Sequence, residues 1–183
     1  MLDNSKIIKN LYVSTISDGF YVPNLFSTTN KEITNRDYAK ILNEKKHLKN
    51  NIDFIRKESK NYNNNYVIIS SKYSRYLSRN IFNDKMNKIN KSNVYDDLAI
   101  DLENLINLIE KDTNIIFIEN IFQPNVTLEE CVGNIFFKSK NFEKKSDCDH
   151  NFSNNRKKID SINNVLLNLE NKYKNVKIFK STE

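Results

Sequence analysis

The sequence predicts a single α/β domain built on a parallel sheet. Three observations lead to this prediction: short continuous apolar runs typical of buried strands, helical apolar spacing between those runs, and a length of 183 residues, which suits one compact unit. Strands separated by helices need crossover connections, so the strands should run parallel, with helices on both faces. The expected architecture is a three-layer α/β/α sandwich spanning residues 1–183.

The first half of the chain alternates between strand and helix patterns. A first strand is expected near residues 7–13, and a helix follows it, opened by a capping box formed by Thr34 and Asp37. A continuous apolar run at 66–69 predicts a short strand covered on both faces. Residues 80–91 show little periodicity, which indicates a loop or a short helix.

The second half repeats the alternation. A clear helix opens at Ser92 or Asn93, has acidic residues in its first turn and carries apolar residues through Ile109. A strand at 115–118 follows, and then a connection at 121–154 that is long enough to be a functional loop or an excursion with structure of its own. The pattern ends with a helix that carries apolar residues from Ile159 to Tyr173 and a strand at 176–179.

Composition excludes several classes of protein. Hydrophobic residues make up 38% of the chain, with 11 Phe and 9 Tyr, which is too apolar for a disordered polyelectrolyte. The chain has two glycines, two prolines and no Gly-rich phosphate-binding loop, so we expect no nucleotide cofactor. Cys131 and Cys148 lack the spacing of a zinc site, and we expect no metal.

The basic charge of the chain has two explanations. A net charge of +6 suits a polyanionic partner, but cations such as Lys45, Lys46 and Lys49 fall where polar helix faces are expected. We therefore favour a solvated surface over nucleic-acid binding, and His47 is expected at the same surface. No apolar run reaches the roughly 20 residues of a membrane helix, so we expect neither a transmembrane segment nor an export signal in this chain.

Polar residues follow two predicted strands directly. Residues 70–76 are dense in hydroxyl, aromatic and cationic side chains, and Glu119 follows the strand at 115–118. Ligands bind outside the carboxyl ends of strands in open parallel sheets, so both exits are candidate binding sites. The alternative is that the cations are solvated, the tyrosines pack on a helix, and Glu119 caps a strand or faces solvent.

A family resemblance rests on the same exits. The stretch YVIISSKYSRYL, a helix, and the strand and exit IIFIENIFQPNVTLEECVGN resemble the SGNH domain attached to membrane acyltransferases that O-acylate bacterial surface glycans. In that family a buried strand ends in a small residue, a basic residue, an aromatic residue and a later tyrosine. Ser71, Lys72, Tyr73 and Tyr76 match this element, with Tyr73 in place of the usual tryptophan. The resemblance implies a flavodoxin-like fold, which is a three-layer α/β/α sandwich of the kind that the strand and helix pattern also predicts.

Two further segments carry the resemblance over most of the chain. Pro124, Cys131 and Val132 match the family's proline and later Cys-apolar pair. Upstream, NLYVSTISDGFYVPNL is similar to a strand that leads into a Ser-Gly-Cys-Pro loop, with Gly19 kept and Phe20 in place of the cysteine.

The catalytic elements of the family are missing from this pattern. SGNH enzymes carry a nucleophilic serine in a Gly-Asp-Ser turn after the first strand, and an Asp-x-x-His element after the last. The sequence contains no Gly-Asp-Ser, and its outer strands resemble inner strands of the family. We therefore expect a central fragment without either catalytic end. Asp147 to His150 spell Asp-x-x-His but precede the last helix, so we expect an accidental match and no catalytic residue here.

The resemblance implies a set of supporting residues. Gly19 would line an oxyanion hole with its backbone N–H, although a simple turn glycine is an equal alternative. Ser71, Lys72, Tyr73, Tyr76 and Glu119 would lie on the substrate side. Separately, Cys131 and Cys148 would form a disulfide in an oxidising periplasm, whereas in a cytosolic fragment they would stay free thiols.

The resemblance also implies a function and partners. Intact relatives act on acyl esters of cell-surface polysaccharide in the periplasm or at the membrane, and this chain would work with a fused or adjacent membrane acyltransferase region and a surface glycan. The alternative is a non-enzymatic module that binds a glycan or a protein. Nucleic-acid binding through charge is the least favoured reading, and it predicts affinity that falls steeply with salt.

Overall fold

The described part of the chain is a mixed α/β structure. The computed structural model describes residues 22–61, 65–71, 73, 77, 79–109, 111–119 and 147–180, with the backbone alone for 147–155. In chain order the elements there are β1 (Phe26–Thr28), α1 (Asn35–Ser59), β2 (Asn65–Ile69), β3 (Asn80–Phe82), α2 (Val94–Leu108), β4 (Thr113–Ile118), α3 (Asp147–Lys172) and β5 (Val176–Phe179). The first predicted strand, at 7–13, lies outside the described residues.

The capping box at the start of α1 is confirmed. The Asp37 N–H donates to the Thr34 hydroxyl over 3.2 Å, and the Thr34 N–H donates to the Asp37 carboxylate over 3.0 Å. The same carboxylate accepts from the hydroxyl of Thr28 and the amide of Asn30. These bonds satisfy donors that an α-helix leaves open at its start, and they attach α1 to the end of β1.

The predicted α2 is also confirmed. Leu98, Leu102 and Leu105 are completely buried, at the spacing of one helix face. Asp96 and Asp97 lie in the first turn, where negative charge is favoured by the helix dipole.

The main sheet has three parallel strands in the order β2-β4-β5. Ile69 pairs with Phe117 across β2 and β4, and Ile115 pairs with Val176 across β4 and β5. The prediction of parallel strands joined through helices is therefore confirmed. Because both connections move in the same direction along the sheet and such crossovers are right-handed, α2 and α3 lie on one face.

The hydrophobic core lies between that face and the helices. Its sheet members alternate along the strands, and Leu48 and Ile52 of α1 belong to the same cluster as α2 and α3. The buried or partly buried sheet residues of the core are Val67, Ile69, Ile115, Phe117, Val176 and Ile178. All of them point to the helical side, as the two-residue period of a strand requires.

The opposite face of the sheet, here called the outer face, is apolar and exposed. Its apolar members are Tyr66, Ile68, Ile116, Ile118 and Phe179, and the register places Asn114 and Lys177 on the same side. Tyr66, Ile68 and Phe179 are 63%, 62% and 59% exposed. The prediction that β2 is covered on both faces is therefore wrong for the described residues, because a continuous apolar run looks the same with one or both faces covered. The predicted third layer has no counterpart among these residues.

A second, small sheet pairs β1 with β3 in antiparallel fashion, with Phe26 opposite Phe82. The sequence predicted a loop or short helix at 80–91, which is correct for 83–91 but wrong for 80–82. A three-residue strand shows no period, and its partner is far away in the sequence. A turn follows β3, in which the Asn83 side chain accepts from the N–H groups of Lys85 and Asn87. Met86 in this turn has a φ of 63°.

One side chain of α3 occupies a backbone donor at the outer edge of β5. The Glu170 carboxylate accepts from the backbone N–H of Ile178 over 3.2 Å, and the Lys177 ammonium lies 4.0 Å from the same oxygen. The last helix begins at Asp147, earlier than the apolar pattern from Ile159 indicates, because its first turns are polar.

Candidate functional site

The carboxyl edge of the main sheet is the end at which β2, β4 and β5 stop. Ser70 and Ser71 leave this edge after β2, and Glu119 leaves it after β4. Ser71 lies two residues beyond Ile69 and Glu119 two residues beyond Phe117, and those two residues are paired in the register. The two predicted exits therefore leave the sheet at the same level on neighbouring strands.

Ser71 brings a hydroxyl group without a partner to this edge. Its Oγ is inaccessible to solvent and has no hydrogen-bond partner within the described part of the chain. A buried hydroxyl without a partner costs free energy, which a bound polar group would recover. Ser70, directly before it, is exposed. Ser71 is therefore a described residue after β2 whose hydroxyl has unused hydrogen-bonding capacity.

Glu119 is held at the same edge by two hydrogen bonds. Its backbone N–H donates to the Phe179 carbonyl over 3.0 Å, which extends the pairing of β4 and β5 by one bond. Its Oε1 accepts from the Asn163 side-chain amide on α3 over 3.1 Å. The carboxylate is thus fixed on the helical side of the sheet and only partly buried. A carboxylate oriented by an amide is a suitable acceptor for ligand hydroxyl groups.

Tyr73 belongs to the core. Its residue surface is 1% exposed, and it clusters with Ile69 and Leu77. The ring therefore contributes apolar packing beneath the exit from β2, as in the alternative explanation of the tyrosines.

The other sequence candidates lie outside the described residues. These are Gly19, Lys72, Tyr76 and Cys131. Cys148 is in the first turn of α3, together with Asp147 and His150, but only the backbone is described there. The disulfide, the oxyanion-hole glycine and the Asp-x-x-His match remain predictions. His47 is exposed on α1, as expected.

Asp101 is a buried carboxylate that the sequence analysis missed. It is 2% exposed on α2 and accepts from the backbone N–H groups of Asn24 and Leu25, each at 2.8 Å, and from the Asn24 amide at 2.7 Å. Burial raises the pKa of this carboxyl, although hydrogen bonds from Asn24, Leu25 and Asn104 act to lower it. The sequence did carry a signal of its burial, because Asp101 lies between Leu98 and Leu105 on the apolar face of α2.

No group of three or more His, Cys, Asp or Glu residues in the described ranges is placed to hold a metal ion. Among the helices of those ranges, none combines the length and apolar character needed to cross a bilayer.

Comparison of the chain with protein-family models, curated proteins and solved structures finds no match. The functional interpretation therefore depends on the chemistry of the carboxyl edge. Ser71, Glu119 and Asn163 provide a hydroxyl, a carboxylate and an amide, which are groups that bind hydroxyl-rich or ester-containing ligands. A nucleophilic serine also needs a base within hydrogen-bond reach, and Ser71 has no such group among the described residues.

Proposed function

We propose that this chain is part of an SGNH-type, three-layer α/β domain associated with O-acylation of cell-surface polysaccharide, and that it does not transfer acyl groups by itself. One observation chiefly supports the proposal. The exits after β2 and β4, which carry the resemblance, leave one edge of a parallel sheet at the same level. Ligands of open α/β sheets bind at such an edge.

The proposed role of the edge is binding rather than nucleophilic attack. In an intact SGNH enzyme, a histidine takes the proton of the catalytic serine as that serine attacks an acyl ester. The acyl group moves to the serine oxygen, the acyl–oxygen bond of the ester breaks, and the alcohol leaves with the proton from the histidine. This sequence has no Gly-Asp-Ser, and Ser71 has no base beside it in the described ranges. Ser71 and Glu119 would therefore hold the glycan or its ester. A fused or adjacent membrane acyltransferase region would supply the acyl group, in the periplasm or at the membrane.

The alternative function is a non-enzymatic module that binds a glycan or a protein. The Glu119–Asn163 pair favours it, because an oriented carboxylate and amide can bind sugar hydroxyls without any catalytic residue. This module would not distinguish an acylated glycan from a deacylated one unless the ester itself were contacted.

Turnover and binding assays test these proposals. The purified chain, first shown by a cooperative thermal melt to be folded, should hydrolyse p-nitrophenyl acetate no faster than a heat-killed sample. Turnover that is lost in Ser71→Ala and kept in the matched variant Ser70→Ala would contradict the absence of catalysis.

Binding is then measured by titration calorimetry with an O-acetylated polysaccharide and with its deacetylated form. Tighter binding of the acetylated form, weakened by Ser71→Ala and unchanged by Ser70→Ala, supports the acyl-ester proposal. Equal binding of both forms supports the module. Failure to bind either form argues against a glycan ligand in both proposals.

A further inference from the structure

Strand β2 is at one end of the main sheet and has a described neighbour on one side only. The strand order is β2-β4-β5, so β4 pairs with one edge of β2 and no described strand lies along the other edge. The far end of the sheet differs, because the Ile178 N–H at the outer edge of β5 already donates to Glu170. A strand edge presents backbone donors and acceptors with which another strand can pair. The β2 edge is therefore the better place for the main sheet to extend.

Helix α1 runs in the direction that a crossover into β2 requires. The Asn65 side-chain amide at the start of β2 donates to the Ser59 carbonyl at the end of α1 over 2.8 Å. Close to that end, the Arg56 Nε donates to the Leu108 carbonyl at the end of α2, also over 2.8 Å. Both helices therefore end at the amino edge of the sheet, and each leads into one of its parallel strands.

Helix α1 lies on the side of α2 that is away from α3. Glu103 of α2 accepts from Lys172 of α3 over 2.7 Å, whereas Asp101 accepts from the N–H groups of Asn24 and Leu25. Two positions along a helix are about 200° apart, so these two carboxylates are on opposite flanks of α2. Because α3 leads into β5, the segment at 24–25, and α1 attached to it through β1, lie toward the open edge of β2.

We propose that residues 7–13 form a strand that pairs in parallel with the open edge of β2. Leu48 and Ile52 of α1 belong to the core on the face that α2 and α3 cover. Because crossovers are right-handed, connections on one face all move in the same direction along the sheet, so the strand before α1 must lie on the side of β2 away from β4. Residues 14–21 then join this strand to Val22, and when extended they span up to roughly 28 Å, enough to pass from the sheet to the helical layer. The inference does not depend on the proposed function.

This placement adds a third exit to the carboxyl edge. Parallel strands end at the same edge, so residues 14–18, Ser-Thr-Ile-Ser-Asp, would leave the sheet beside Ser71. A ligand at this edge would then meet hydroxyl and carboxylate groups that follow three strands instead of two. This consequence, unlike the position of the strand, rests on the proposed function, because it takes the carboxyl edge to be the binding site.

A cysteine scan of the full chain tests the inference. Cys131 and Cys148 are first replaced by Ser, Ile68→Cys is added on β2, and residues 7–13 are then replaced by cysteine one at a time. The Cα atoms of paired strands are about 5 Å apart, which a disulfide can bridge. We expect one position to form its disulfide at least about tenfold faster than the positions directly before and after it, because alternate residues of a strand face opposite sides of the sheet.

The matched control repeats the scan with Phe179→Cys in place of Ile68→Cys. Phe179 is 59% exposed and Ile68 is 62% exposed, and both are on the outer face, but Phe179 is on β5. A strand beside β2 would lie about 14 Å from β5, so no position of 7–13 should form a disulfide with it at a comparable rate.

Three results would overturn the inference. Equal rates at successive positions would mean that residues 7–13 are not a strand beside β2. Faster linkage to the cysteine at 179 would place the segment at the β5 edge. Linkage to neither cysteine would mean that something other than residues 7–13 meets the open edge of β2. A thermal melt of each variant, compared with the parent, confirms that the variants are folded.

Discussion

The carboxylate of Asp101 accepts a hydrogen bond from the backbone N–H of Leu25 over 2.8 Å and so joins α2 to the segment that leads into β1. Asn24 donates to the same carboxylate through both its backbone and its side chain. One side chain thus satisfies two consecutive backbone donors of a connecting segment, and the small sheet is held to the main core through it.

Replacing Asp101 by Ala should lower the free energy of unfolding by roughly 2–3 kcal/mol, because the N–H groups of Asn24 and Leu25 lose their acceptor in a buried place. Urea unfolding followed by circular dichroism measures the change. The control is Asp53→Ala, which removes an exposed carboxylate from α1. Equal stability of both variants would show that water replaces the lost acceptor.

Acid should weaken the attachment of α1. Burial acts to raise the pKa of Asp37, but hydrogen bonds from Thr34, Asn30 and Thr28 outweigh it, and the pKa lies well below its ordinary value of 3.8. A lowered pKa in the folded state means that this stabilisation is complete above about pH 4 and is lost as the pH falls further.

The melting temperature of Asp37→Asn, compared with the parent from pH 7 to pH 3, measures this contribution of Asp37. The parent should be the more stable at pH 7, and the difference should shrink below about pH 4. A difference that stays constant with pH would show that ionisation of Asp37 is not its source.

Met86→Gly should stabilise the protein. Met86 has a φ of 63°, a conformation that costs a residue with a side chain about 1 kcal/mol and costs glycine almost nothing. Glycine also gains freedom in the unfolded chain, so we expect a net increase of only about 0.5 kcal/mol in the free energy of unfolding. Lys85→Gly, one position earlier, should lower stability instead. An equal loss in both variants would contradict the strain at Met86.

Leu102→Ala should cost about 2–5 kcal/mol of unfolding free energy, because Leu102 is fully buried on α2 and its truncation leaves a cavity. The matched change Ile100→Ala, on the exposed side of the same helix, should alter stability by less than about 0.5 kcal/mol. Chemical denaturation of the two variants measures the contrast. Similar losses at both positions would mean that Ile100 is covered in solution.

The sequence predicted the helices and strands that have a strong local pattern. Helices α1 and α2 have strong apolar periods, and Thr34 with Asp37 identifies the start of α1 before any tertiary contact is known. The strands β2, β4 and β5 follow from apolar runs between turn residues. In each case the signal lies within a few neighbouring residues, so one sequence is enough to find it.

What the sequence did not predict depends on residues distant along the chain. Strands β1 and β3 are short and gain their structure from each other. The exposure of Tyr66 depends on what covers the outer face. At the carboxyl edge, the positions after β2 and β4 followed from strand ends, whereas the pairing of Glu119 with Asn163 required the placement of α3.

The hydrogen bond from Ile178 to Glu170 also limits how this protein can assemble irreversibly. Growth of a fibril by strand addition requires two open edges on every molecule, one to receive the next strand and one to offer it. With the Ile178 N–H occupied by a helix side chain, a molecule that joined another through β2 would offer only a poor second template at the β5 edge of the main sheet. Propagation of edge-to-edge association through the described strands of the main sheet is therefore disfavoured.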